Sequence, residues 1–241
     1  MIGSSNQYYM LIGSLPALPP HFEDAERLPI SNLQLNERLK LLAPSDAEVM
    51  EEMSNFLVWE RQPLEQSNQD VVAHFERFIK TVDNRFTHQI ITRVMTIRTV
   101  LCGLRSRRLG LEPPIGIEPA ASQIARYWNH PTFKMEREFP WIADVDAQLN
   151  GERPFDYHRE ALNIRWQFVK RLSDEFFFSF EAVLLYVMRW EVVYRWTRRD
   201  AEAGRAKFER LVSEAMGDYA DLFNRSATAE SGGETEEGSA A

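Results

Sequence analysis

The sequence predicts an all-α fold, a multi-helix bundle with a short extended segment near the N-terminus. Apolar residues recur every three or four positions over most of the chain, which is the period of an amphipathic helix. Prolines and glycines interrupt these runs, and both residue types end helices. After residue 15 there is no strong alternation of apolar and polar residues, and such alternation is the pattern typical of strands.

The N-terminal segment is the one place where an extended conformation is predicted. Residues 8–15 form a short apolar run rich in β-forming residues, and the prolines of SLPALPP follow. Prolines favour an extended path. The sequence therefore predicts either a short strand or an extended arm for this segment. Leucines at helical spacing then predict a short helix over residues 32–42, which Pro44 ends.

Two N-terminal helices are predicted from their starting residues. Ser45 is followed three residues later by Glu48, the spacing of a capping box, in which each side chain bonds the backbone of the other residue. This box predicts a helix that runs to about Arg61, before Pro63. Ser67 with Asp70 has the same spacing and predicts a second helix, through Ile79.

A central helix is predicted over residues 86–110, and the rest of the fold is expected to form around it. One side is an apolar stripe, and the other is a stripe of small residues where a solvent-facing helix would carry Lys and Glu. We therefore expect this helix to have close neighbours on two sides. The apolar stripe is Phe86, Ile90, Val94, Ile97, Leu101 and Leu104, and the small stripe is Thr92, Thr96, Thr99, Gly103 and Ser106.

Arginines make the central helix a candidate partner-binding surface. No acidic residue occurs from Asn84 through Leu111, so the charge has one sign. Cations near a helix C-terminus also complement its dipole. The arginines could therefore have either a structural role or a role in docking a partner. A second arginine-rich end is predicted on a later helix. The candidate partner-binding residues are Arg98, Arg105, Arg107, Arg108, Arg195, Arg198 and Arg199.

The C-terminal half is predicted to be a second helical subdomain. Gly110 ends the central helix, and LEPPIGIEP cannot be helical. The predicted organisation is an N-terminal subdomain of residues 1–111, a C-terminal subdomain of residues 112–225 and a disordered acidic tail of residues 226–241. The predicted helices of this half are 120–128, 140–150, 154–172, 179–198 and 201–223.

Composition indicates a cytoplasmic protein. Cys102 is the only cysteine, so an internal disulfide is impossible, and a reducing compartment is expected. The apolar run at residues 176–194 contains Glu181, Arg189 and Glu191, so we expect a buried helix and no membrane span. The net charge is −8, of which the last sixteen residues carry −4. This acidity argues against non-specific nucleic-acid binding.

Catalytic and metal-binding motifs are not found in the sequence. It contains no GxxxxGK[ST] phosphate loop, no HExxH pair and no GxSxG nucleophile elbow, which are the signatures of nucleotide, zinc and acyl-transfer chemistry. We therefore expect a protein that is not an enzyme, with no catalytic residue, no metal site and no cofactor.

Three segments resemble a family of uncharacterised bacterial proteins encoded among the subunits of V/A-type ATPases. They are YYMLIGSLPAL, TIRTVLCGLRSRRLG and FEAVLLYVMRWEVVYRW, and the resemblance covers most of residues 8–223. That family more distantly resembles the C/d subunit of the rotary ATPase central stalk. Arg105 and Leu109-Gly110 match the end of the repeated C/d helix motif, while Thr96 and Thr99 stand at its Asp and Asn positions.

This resemblance implies a non-catalytic adaptor for proton or sodium transport, placed between the membrane ring and the stalk of the ATPase. Its expected partners are other ATPase subunits, through which the protein would be peripheral to the inner membrane. The residues leave two other functions open. One is a helical nucleic-acid-binding protein that uses the arginine-rich helix, and the other is an enzyme without a recognisable motif.

Overall fold

The protein is all-α in the computed structural model, which describes residues 8–57, 66–151 and 154–198. These residues form nine α-helices and one short 3₁₀ turn, Phe22–Asp24, with no strand among them. The predicted fold class is confirmed. The helices are α1 Tyr9–Ser14, α2 Asn32–Leu39, α3 Pro44–Leu57, α4 Asn68–Thr81, α5 Arg85–Arg108, α6 Ala120–Arg126, α7 Ile142–Asn150, α8 Pro154–Ser173 and α9, residues 180–198.

The chain divides into two compact units, Met1–Val193 and Tyr194–Ala241. The subdomain boundary after residue 111 stays a prediction. The helix expected at residues 201–223 and the acidic tail expected at residues 226–241 lie outside the described residues.

Residues at the first turn explain where α3 and α4 begin. The capping box of Ser67 and Asp70 is confirmed: the Ser67 hydroxyl accepts the Asp70 N–H, and the Asp70 carboxylate accepts the Ser67 N–H. The capping box predicted at Ser45 is wrong, because α3 already begins at Pro44. Proline suits the first turn of a helix, where no backbone N–H is needed.

The N-terminal segment is a short helix where a strand or an extended arm was predicted. Helix α1 spans Tyr9–Ser14 and buries Leu11. A six-residue apolar run has no decisive period, so tertiary packing decides its conformation. The chain becomes extended only at Leu15, which precedes the first proline of the segment.

Two apolar cores hold the first unit together. The first core combines residues of α1, α3 and α4 with the N-terminal half of α5 and with α9. The second core combines the C-terminal half of α5 with α6, α7 and the loop between them. Two helices enter both cores. Helix α5 places Ile91 in the first and Leu104 in the second, and α8 places Val169 in the first and Ile164 in the second.

Helix α5 is enclosed along most of its length, as predicted. Every member of the apolar stripe is either buried in one of the two cores or packed against it. The small stripe is enclosed only in its C-terminal part, where Thr99 and Gly103 are buried. Thr92 is exposed, and Thr96 is half-buried. The prediction of a second close neighbour is therefore correct for the C-terminal part of the stripe and wrong at Thr92.

The tightest contact of α5 is with the extended segment that follows it. A Cβ atom added to Gly116 would lie 2.2 Å from Cγ2 and 2.7 Å from Oγ1 of Thr99, so only glycine fits at this position. The Thr99 hydroxyl donates to the Met95 carbonyl at 2.9 Å and accepts the Ile117 N–H at 3.3 Å. The segment after α5 is therefore fastened back onto the helix.

The loop before α7 contains two consecutive residues in the left-handed region, Phe133 at φ 53° and Lys134 at φ 56°. This conformation is unfavourable for residues other than glycine. The Gln123 side-chain amide donates to both of their carbonyls, at 3.3 and 3.1 Å. These bonds hold the loop so that the Phe133 side chain is fully buried.

Tyr8 joins three parts of the first unit. Its N–H donates to the Phe178 carbonyl at 3.0 Å. Its hydroxyl donates to the Asp46 carboxylate at 2.5 Å and accepts the Ala43 N–H at 3.1 Å. Burial, followed by the hydrogen bond to Asp46, raises the pKa of Tyr8 to about 12.

We expect Tyr8→Phe to lower the free energy of unfolding by about 1–2 kcal/mol at pH 7, because two hydrogen bonds lose their partner. The folded-state pKa of Tyr8 is above that of the unfolded chain, which is about 10. The stabilisation from Tyr8 is therefore present below pH 10 and is lost as the pH rises through 12. Urea unfolding from pH 7 to pH 12 should show a constant difference in the free energy of unfolding between wild type and variant up to about pH 10, and a smaller difference as the pH rises to 12. Tyr9→Phe, at an exposed ring, is the control, and a difference between Tyr8→Phe and wild type that stays constant over the whole pH range would contradict the prediction.

Candidate partner-binding surface

The C-terminal end of α5 is closed by a Schellman motif. The Gly110 N–H donates to the Arg107 carbonyl at 3.0 Å, and the Leu111 N–H donates to the Ser106 carbonyl at 2.9 Å. Gly110 has φ +67°, as this motif requires. Its predicted role as the helix-ending residue is confirmed. The motif satisfies the last helix carbonyls and directs the chain into the segment of residues 111–117, which has no regular structure.

Arg105 and Arg108 are exposed at this end. Within the described part of the chain, neither side chain makes a hydrogen bond or an ion pair. No acidic residue precedes them in α5. Their charges are therefore available to another molecule.

Arg107 is placed differently, although it stands between the other two arginines. Its guanidinium donates to the His130 and Pro131 carbonyls at 2.6 Å each and to the Asp146 carboxylate at 2.7 Å. It also lies 4.6 Å from the centre of the Phe133 ring. Arg107 thus links the loop before α7 to α5. Because its guanidinium makes these three hydrogen bonds, few of its N–H groups remain for a partner.

The other four predicted arginines have varied environments. Arg98 is half-buried, and burial, with a smaller contribution from the Arg105 charge, lowers its pKa. Arg195 is half-buried and Arg198 is exposed, and both belong to the unit that begins at Tyr194. The Arg198 guanidinium donates to the Tyr194 hydroxyl at 2.9 Å. Arg199 lies outside the described residues.

Three exposed apolar residues follow Arg105 and Arg108 in the chain, two of them at the turn that closes α5 and the third, Ile115, in the segment after it. Leu109 is 70% exposed, Leu111 57% and Ile115 51%. Sequence analysis did not identify them as part of the site. The sequence nevertheless contained a signal for two of them, because Leu111 and Ile115 belong to a proline-rich segment that cannot be helical. We call Arg105, Arg108, Leu109, Leu111 and Ile115 the α5-end patch.

A cleft of about 480 Å³ opens beside the N-terminal half of α5. Thr92 and Thr96 line one side, and Ala120 and Gln123 line the other. The charged residues at its edge pair with each other, because Arg93 donates to Glu138 at 2.7 Å. Among the described residues, no cluster of His, Cys, Asp and Glu could hold a metal ion, and no helix has both the length and the apolar content to cross a membrane.

The fold and the α5-end patch define an all-α protein with an exposed basic and apolar surface at the end of a long internal helix. Residues 47–218 match the model of a family described as "Protein of unknown function (DUF2764)". Since the match spans more than half of the sequence, the chain belongs to this family. No curated protein and no solved structure matches the chain significantly.

Proposed function

We propose that this protein is a non-catalytic subunit or assembly partner of a bacterial V/A-type rotary ATPase. In this role it connects the membrane ring with the central stalk, and it binds a neighbouring subunit through the α5-end patch. The observation that carries the proposal is a pair of exposed arginines that make no hydrogen bond or ion pair within the described residues, followed in the chain by three exposed apolar residues.

Two further observations support it. One of the three segments that resemble the ATPase-associated family, residues 96–110, contains the arginines of the patch. The helix that carries them is held along most of its length by the two cores. A partner bound at its end would therefore meet a preorganised surface, which lowers the entropic cost of association.

The test is a double charge reversal. Arg105→Glu together with Arg108→Glu should reduce co-purification with the rotary ATPase subunits from host cells at least about tenfold, because like charges facing each other across an interface cost several kcal/mol. The midpoint of thermal unfolding should change little, since both side chains are exposed and make no hydrogen bond or ion pair with the described residues.

A matched control is available on α4. Arg77 and Lys80 are also exposed, three residues apart, near the end of a helix. Arg77→Glu with Lys80→Glu should leave co-purification unchanged. The proposal fails if the wild-type protein does not recover ATPase subunits, or if the reversal on α5 has no more effect than the reversal on α4.

A further inference from the structure

The α5-end patch lacks an apolar contact that usually accompanies its backbone motif. In a Schellman motif, the residue after the glycine commonly packs against a side chain in the last helical turn. Here that residue is Leu111, and the helix offers Ser106 and Arg105 at the facing positions. Serine has almost no apolar surface, and arginine offers only its aliphatic stem. Leu111 is left 57% exposed.

The apolar part of the patch is extended along the chain. Leu111 and Ile115 are four residues apart, and Pro113 and Pro114 between them favour an extended path. Four extended residues span at most about 14 Å. Two turns of a helix span about 11 Å, so one amphipathic helix can present apolar side chains to both residues.

The charge of the patch is positive. Arg105 and Arg108 contribute two charges, and Glu112 is the one acidic residue between Asn84 and Gly116. Asp146 lies near Arg108 across a small cleft of about 260 Å³, but its carboxylate is paired with Arg107. Positive side chains beside an apolar strip fit a partner that has carboxylates beside its own apolar strip.

We propose that the α5-end patch binds an acidic amphipathic helix of a partner protein. The partner helix places its apolar face on Leu109, Leu111 and Ile115, and Asp or Glu residues at the border of that face meet Arg105 and Arg108. This inference rests on the proposed function, because it states which kind of surface the neighbouring subunit presents. Apolar burial supplies affinity, and the charges set orientation and the rate of encounter.

Site-specific photo-crosslinking in host cells tests the contact directly. A photoreactive phenylalanine analogue replaces Leu111, and in a control it replaces Leu33, which is 73% exposed and lies on α2. Mass spectrometry then identifies the crosslinked peptide. We expect a crosslink at position 111 that exceeds the control at least tenfold and that maps to a helical, acidic, apolar-striped peptide.

The outcomes separate this inference from the proposed function. Such a peptide from a rotary ATPase subunit supports both, and the same kind of peptide from another protein supports the inference alone. A basic or uncharged peptide, or a yield no higher than at position 33, overturns the inference. In that case the co-purification experiment still decides the proposed function.

Substitutions separate the contribution of the apolar residues to partner binding from that of the arginines. Replacing Leu109, Leu111 and Ile115 together by serine should reduce crosslinking from a reporter at Glu112 at least tenfold at every salt concentration. Arg105→Glu with Arg108→Glu should have its largest effect at low salt, because salt screens exposed charges. Leu33→Ser is the control for the loss of an exposed leucine. Equal salt dependence of the two variants would contradict the assignment of separate roles.

Discussion

Gly116→Ala is expected to lower the free energy of unfolding by about 2–3 kcal/mol, the range found when extra atoms are forced into a packed site. The added methyl group would lie 2.2 Å from Cγ2 of Thr99. Thr99 is 4% exposed and is held by two hydrogen bonds. A β-branched side chain on a helix has little rotational freedom, so the threonine cannot turn aside without losing them. Urea unfolding followed by circular dichroism measures the loss.

Two companion variants make this prediction specific. Gly13→Ala adds the same methyl group in α1, where no atom outside the local helix backbone lies within 4 Å, so it should not destabilise the protein and could stabilise it by up to about 1 kcal/mol. Thr99→Ala removes the two atoms nearest to the added methyl group, so Gly116→Ala should cost at least about 1 kcal/mol less in that background, a coupling typical of residues in contact. The predicted close contact is refuted if Gly116→Ala is no more destabilising than Gly13→Ala.

Phe133→Ala is expected to cost about 3–5 kcal/mol, as is usual when a fully buried aromatic side chain is truncated. The ring is stacked on Trp128, with 5.7 Å between ring centres, and it also lies under the Arg107 guanidinium. The variant therefore opens the second core and removes one of the contacts that hold Arg107. Chemical unfolding of the variant measures the cost.

The backbone of Phe133 allows a second measurement, in which glycine and alanine should rank in the opposite order from that found in a helix. At φ 53°, glycine is favoured over alanine by about 1 kcal/mol or more. Phe133→Gly should therefore be no less stable than Phe133→Ala. At Ile124, buried in α6, glycine should be less stable than alanine by about 1 kcal/mol. The same order of stability at both positions would contradict the left-handed conformation.

Helices that have a strong local signal could be predicted from the sequence. The Ser67–Asp70 box and Gly110 both fix their helix ends through backbone bonds between residues close in sequence. Ser45 carries an equally good capping pattern, but α3 starts earlier. Residues 9–14 are too few to establish a period. Local patterns therefore predict helices well, except where two starting points compete or the segment is short.

The candidate site was predictable only in part, for a similar reason. Arg105, Arg107 and Arg108 are equivalent in a one-dimensional pattern. Arg107 is distinguished by Asp146, which is 39 residues away in sequence. Because only the fold brings these two residues together, the sequence could not show which arginines remain available. The exposure of Leu111 likewise depends on which residues occupy the last turn of α5 and on what packs nearby.

Helices α5 and α8 each contribute to both cores, and this affects how the protein could be divided. A fragment that ends at residue 111 would keep α5 but would lose Phe180, Leu184 and Met188, which complete the first core. The complementary fragment would lack Val100 and Leu104 of the second core. Each piece, made alone, would expose apolar core residues to solvent and would tend to aggregate. We therefore expect a gene split at this point to give usable protein only when both pieces are co-expressed and reassemble.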